Sequence, residues 1–206
     1  MTIDDQLLLF FFRYGEPYGN SKVSPEQALA AINNSRRSVA QEAKFYDVKD
    51  SITALGDEEY WTMRDDFLGL WEEAKDCVVY DGQPVTLKTL ADWASLKNGR
   101  LVNIYNNAYR YGMLHGKQFY LWPLAEAGKV IEWWGYGTAP ALAAITGGDA
   151  YLTSEQAEAT VLDAVVKTKD ANGDNISQLL LVDRAAAIKR ITKKIAGPRL
   201  EPPSEG

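Results

Sequence analysis

Acidic side chains come closest to a catalytic pattern in this chain. Asp57, Glu58, Glu59, Asp65, Asp66, Glu72 and Glu73 fall within seventeen residues. Glycoside hydrolysis needs two carboxyl groups flanking one bond, one of them held protonated. Here the acids come as neighbours in sequence, at turn and strand-edge positions. Adjacent residues of a strand point to opposite faces, so neither Asp65-Asp66 nor Glu72-Glu73 forms one dyad. They read as solvated turn charges. Asp170, Asn172 and Asp174 have the D-x-N-x-D spacing that opens a calcium loop, but Asn175 stands where the loop needs Gly and Leu181 where it needs a bidentate acid. A turn between helices is the better reading. The chain has one cysteine and one histidine. Cys77 reads as a half-buried strand residue and His115 as part of a hairpin turn. A Ser/His/Asp set, a metal spacing and a Gly-rich phosphate loop are all missing from the sequence.

Two other groups could bind rather than react. Tyr105, Tyr109, Tyr111, Phe119, Tyr120, Trp122, Trp133, Trp134 and Tyr136 are dense enough to stack on sugars or unpaired bases, though such residues more often fill a β core or an interface. Between residues 184 and 200 the chain carries Arg184, Lys189, Arg190, Lys193, Lys194 and Arg199. No acid falls among them, and six cations exceed what the dipole of a helix C-terminus asks for. These six read either as a solvated helix end or as a docking surface for an acidic partner, or for DNA in a channel.

The elements that must position these groups are helical at the ends and strand-like between. Thr2 and Asp5 cap a helix over 3–14 that contains the apolar run LLLFFF, read as a buried, core-forming segment. Ser24, Pro25 and Gln27 supply an N-cap, a first-turn proline and a capping box for a helix over 24–45. Leu29, Ile32, Val39 and Ala43 form its apolar face, with Arg36 and Arg37 toward the polar side. Thr153 and Gln156 repeat the capping box for a helix over 153–171, which Gly173 stops. The last helix spans 175–196, with Ile176, Leu179, Leu180, Ala187, Ile191 and Ile195 inward, and Gly197-Pro198 ends it. Between them short runs rich in Val, Tyr and Trp alternate with turn residues. Asp81-Gly82 marks a tight hairpin. LKTLADWASL has the spacing of a short helix, and strands 117–123 and 129–136 are expected to pair as a hairpin around Ala125–Gly128.

The expected fold is α+β: a four-helix bundle from 1–45 and 144–196, an antiparallel β domain inserted at 46–143, and a Pro-rich tail at 197–206. At 206 residues, 46% apolar and 24% charged, the composition is that of a globular protein with a sizeable core. A net charge of −6 argues against non-specific coating of nucleic acid. LLLFFF is too short to cross a membrane and follows two acids, so it is not expected to serve as a signal segment.

The order of these pieces resembles the phage head-to-tail adaptor family, also called head-tail connector or tail tubular adaptor proteins. VSPEQALAAINNSRRSVAQEA is similar to the family's second helix, with Asn33 as its helical Asn. RDDFLGLW resembles the P-x-D-F-L strand entry, with Arg64 in place of the proline. VYDGQPV resembles a YDG-x-P-L hairpin. FYLWPLAEAGKVIEWWGY resembles the family's paired aromatic strands, and LTSEQAEATVLDAVV the helix that follows. The resemblance implies a structural virion protein and not an enzyme. It would be made in the bacterial cytoplasm and placed at the head-tail junction, without cofactor or metal. Its copies would form a ring, a dodecamer, between the portal protein and a tail nozzle or tail tube protein. DNA would pass through the ring without sequence-specific contact. Arg184, Lys189, Arg190, Lys193, Lys194 and Arg199 would be its partner-binding residues. An aromatic-rich carbohydrate- or receptor-binding module of a virion is the alternative.

Overall fold

The computed structural model describes residues 1–18, 21–56, 58–71, 77–97, 110–145 and 147–195, the side chains of 97 and 193–195 excepted. These residues divide into a helical unit, 1–46 with 137 onward, and a sheet unit, 47–136.

The helical unit holds α1 (Ile3–Tyr14), α2 (Pro25–Ala43), α4 (Ser154–Asn172) and α5 (Gln178–Ile195). Three starts are fixed by reciprocal capping boxes: Thr2 with Asp5, Ser24 with Gln27, and Thr153 with Gln156. Gly15 and Gly173 end α1 and α4 in the left-handed conformation, at φ 91° and 68°. α4 is the central helix of this unit and packs against α1, α2 and α5. Its Ala157, Val161, Leu162, Ala164 and Val165 meet a core that includes Leu7, Phe10, Phe11, Ile32 and Val39, each at most 1% exposed. LLLFFF is therefore only half inward, because a 3.6-residue period must turn part of any six-residue run to solvent. Leu7, Phe10 and Phe11 are buried, whereas Leu8 and Phe12 are 55% and 77% exposed.

The sheet unit holds β1 (Asp47–Thr53), β2 (Tyr60–Thr62), β3 (Phe67–Leu70), β4 (Val78–Tyr80), β5 (Gln83–Leu87), α3 (Leu90–Lys97), β6 (Arg110–His115), β7 (Gln118–Trp122) and β8 (Val130–Gly137). Strand order is β1-β8-β4-β5-β6-β7-β2, and β3 also pairs with β8. Asp81 and Gly82, both at positive φ (47° and 76°), make the β4–β5 turn. Gly116 at φ 60° lies in the β6–β7 turn. Strict alternation puts Phe119, Leu121, Ile131 and Trp133 into the core, each at most 3% exposed. β3 and β8 approach closely: a Cβ at Gly135 would stand 2.2 Å from the Gly69 carbonyl oxygen.

Several expectations are corrected. The architecture is not a four-helix bundle carrying an antiparallel insert. Among the described residues it has five helices and an eight-stranded mixed, curled sheet. The sheet is mixed because β5 and β6 run parallel, with Val85 opposite Arg110 and Leu87 opposite Gly112. In sequence α3 and residues 98–109 separate those two strands, and a parallel pair requires a connection longer than a hairpin turn. The aromatic strands β7 and β8 do not pair with each other. β7 lies between β6 and β2, and β8 pairs with β1, β4 and β3. Alternation predicts which side chains face inward but says nothing of which strand lies alongside. Leu179, expected inward, is 68% exposed, and Arg36, expected at the polar side, is 1% exposed. Cys77 is fully buried. The tail at 197–206 lies outside the described residues.

Candidate functional site

Among the described residues the basic segment of α5 divides. Arg184, partly buried, is held by a network around the buried Asp163. Its Nε donates to Asp163 Oδ1 and its second guanidinium nitrogen to Glu42, at 2.8 and 2.7 Å. Asp163 is 1% exposed on α4. It also accepts from Ser38 Oγ of α2 and from Lys167 Nζ one turn on, both at 2.8 Å. Burial alone would raise the pKa of Asp163. The hydrogen bonds from Lys167, Ser38 and Arg184 outweigh it and hold the carboxyl below its ordinary value. Arg184 itself is pushed up by Asp163 and Glu42, against the desolvation that would lower it. One carboxylate thus ties α2, α4 and α5 together. Lys189 and Arg190 lie on the exposed side, with Arg190 3.5 Å from Glu158. Arg199 and the side chains of Lys193 and Lys194 lie outside the described residues.

A second buried cluster holds the segment that follows β8. Arg36 of α2 and Asp149 form an ion pair with side chains 1% and 0% exposed. Arg36 also donates to the Pro140 carbonyl. Gln6 of α1 donates to Asp149 at 2.9 Å, and the Tyr151 N–H donates to its other oxygen at 3.1 Å. Burial pulls the Arg36 pKa down and Asp149 works against that shift. Asn33 bonds Leu142 in both directions, donating to its carbonyl at 3.0 Å and accepting from its N–H at 2.8 Å. These groups tie Pro140, Leu142 and Asp149 to α1 and α2. They were legible in part, since Arg36 sits four residues after Ile32 and three before Val39, inside the apolar stripe. Asp149, its partner, is 113 residues away and carries no local mark.

The remaining sequence candidates have ordinary duties. Asp65 pairs with Lys117 at 2.7 Å and Asp66 with Arg64 at 2.7 Å. Asp57, Glu72 and Glu73 lie outside the described residues, as do Tyr105 and Tyr109. Asp174 accepts from Tyr14 Oη at 2.5 Å, and Asn172 donates to the same hydroxyl at 3.0 Å. The D-x-N-x-D turn is therefore tied to α1. Among the described residues no group of three or more His, Cys, Asp or Glu is placed to hold a metal ion. Some of the aromatic residues meet other rings at a tilt, with Tyr120 5.7 Å from Tyr60 and 6.2 Å from Trp93, and Trp71 5.2 Å from Tyr136.

What sequence reasoning missed is the outer face of the helical unit. Leu8, Phe12 and Tyr18 around α1, and Leu179, Leu181 and Val182 on α5, are 43–77% exposed. Leu8, Phe11, Phe12, Pro17 and Tyr18 border an open, mostly apolar cleft of about 360 Å³. The signal was present, since α1 and the start of α5 are apolar over more of their circumference than one core-facing stripe requires. No described helix is long and apolar enough to cross a membrane. Compared with known proteins, the chain matches no protein-family model and no curated sequence.

Proposed function

We propose that this chain is a structural component of a phage virion, an adaptor whose copies form a ring between the portal and the tail and continue the DNA channel. One observation carries the reading. The helical unit uses three buried charges for bracing and leaves several large apolar side chains exposed outside its apolar core. Arg36, Asp149 and Asp163 are buried and spent on bracing, while Phe12 and Leu179 stand 77% and 68% exposed. Exposed apolar patches on a braced scaffold are what protein association uses. The segments that resemble the family's motifs supply β3, the β4–β5 hairpin, β7, β8 and the start of α4, in that order. Of the six cations of 184–200, Lys189 and Arg190 are the exposed ones among the described residues.

The test is binding of the purified chain to the portal protein of the same phage. Cosedimentation should show a stable complex that weakens as salt rises, because exposed charge pairs are screened. Arg190→Glu should weaken it further while leaving helical ellipticity unchanged. A chain that never sediments with the portal at any salt concentration overturns the reading.

A further inference from the structure

The exposed apolar residues fall into two stripes of matching length. On α1, Asp4, Leu8 and Phe12 recur every four residues and share one face. On α5, Leu179, Val182, Ala186 and Lys189 recur at three, four and three, again one face, and all are exposed. Each stripe is apolar at one end and charged at the other, with opposite signs. Phe12 lies eight residues from Asp4, about 12 Å along a helix; Leu179 and Val182 lie ten and seven residues from Lys189, about 15 and 10 Å. Laid antiparallel, Phe12 falls between Leu179 and Val182, and Asp4 falls level with Lys189.

Within one copy, the two stripes do not satisfy each other. α1 and α5 are already joined along another line, by Arg13 and Asp183 at 2.8 Å. Leu8 and Phe12 stay open beside the cleft bordered by Pro17 and Tyr18. That cleft is a concave seat next to Phe12, and Leu179 is a convex side chain of suitable chemistry.

We propose that the α1 stripe of one copy docks antiparallel on the α5 stripe of a second copy, with Leu179 seated in the α1 cleft and Asp4 paired with Lys189. The two stripes differ, so the contact can repeat head to tail, each copy offering its free stripe to the next, and it then ends in a ring or a filament. A two-fold axis that joined both stripes of two copies at once would stop at a pair, so a mass that levels off at two copies overturns the head-to-tail contact. The inference rests on the adaptor reading only for closure into a ring; the contact itself needs no portal.

The experiment measures the mass of the free chain in solution. The chain is 22.9 kDa. At about 100 µM, above the micromolar Kd of a weak interface, its weight-average mass should exceed one copy and rise with concentration. Phe12→Glu and Val182→Glu should each abolish the rise, with unchanged helical ellipticity because both sites are exposed. Mixed in equal amounts, the two variants should give a species of two copies and nothing larger. The Phe12→Glu chain still offers an intact α5 stripe, and the Val182→Glu chain an intact α1 stripe. Asp4→Lys and Lys189→Glu should each weaken association roughly two- to fivefold, and the double variant should restore much of it. Should either apolar variant lose its fold, Phe12→Ser and Val182→Ser take its place. A wild-type chain that stays monomeric at this concentration, or a variant mixture that stays monomeric, overturns the contact. Portal binding by a monomer would then leave the adaptor reading standing. Copy-to-copy association without portal binding would overturn that reading and leave the contact.

Discussion

The helical unit and the sheet unit are stabilised by opposite uses of charge. In the helical unit, Arg36, Asp149 and Asp163 are buried and each is held by several donors or acceptors. In the sheet unit the core is aromatic and aliphatic, and the ion pairs among its described residues each keep at least one exposed member, as in Lys117–Asp65 and Lys49–Glu132. Buried pairs are costly to break, because the survivor is left without water or partner. Rim pairs contribute little, because water and salt already screen them. Single substitutions of charge should therefore be severe in one unit and nearly silent in the other. All six tryptophans lie between Trp61 and Trp134, in the sheet unit. Their fluorescence reports on the sheet, while far-UV ellipticity is dominated by the helices.

The largest expected effect is at the Arg36–Asp149 pair. Arg36→Ala should destabilise the helical unit by about 3–5 kcal/mol, since Asp149 would remain buried without its cation. The helical signal should melt earlier in a denaturant titration. A loss below about 1 kcal/mol would mean that water already reaches this pair.

Asp163 comes next. Asp163→Asn leaves Arg184 and Lys167 without their shared anion and should cost about 3 kcal/mol at neutral pH. The folded pKa of Asp163 is lowered, so its contribution is present above the unfolded value of ~3.9 and disappears as pH falls through the folded value. Wild-type helical stability should thus drop below about pH 4, and the variant should show a shallower drop over the same window. Parallel acid profiles for the two proteins would remove Asp163 from the account.

In the sheet unit the sensitive positions are steric. Gly135→Ala would place a methyl 2.2 Å from the Gly69 carbonyl and 2.5 Å from the Phe67 ring. The β3–β8 crossing would have to open, at a cost of about 2 kcal/mol, read as an earlier tryptophan transition. Lys117→Ala, by contrast, removes only a rim pair and should leave the denaturation midpoint unchanged within error. A clear shift there would break the contrast between the units.

The same contrast explains what could be read from the sequence. Capping boxes at Thr2, Ser24 and Thr153, the left-handed stop at Gly173 and the Asp81-Gly82 turn are local codes, complete within a few residues. Strand partners are not local. Residues of β7 and β8 alternate as an adjacent hairpin would, yet each pairs elsewhere, with β4, β5 and β6 standing between them in the sheet. The buried clusters were half legible. Arg36 interrupts an apolar stripe, but its partner Asp149 stands in an irregular segment with no periodicity to place it. The outward face of α5 was misread at Leu179 because an apolar residue was assigned to the core by type alone. An apolar surplus on a helix surface is also what an interface looks like.

The most direct measurement is an electron cryomicroscopy reconstruction of the head-tail vertex of the virion that carries this chain. The account predicts density for both the helical and the sheet unit in a ring between portal and tail, with α1 of each copy against α5 of its neighbour. A vertex that lacks the chain, or a virion that carries it only at a site away from the portal, would contradict the adaptor reading.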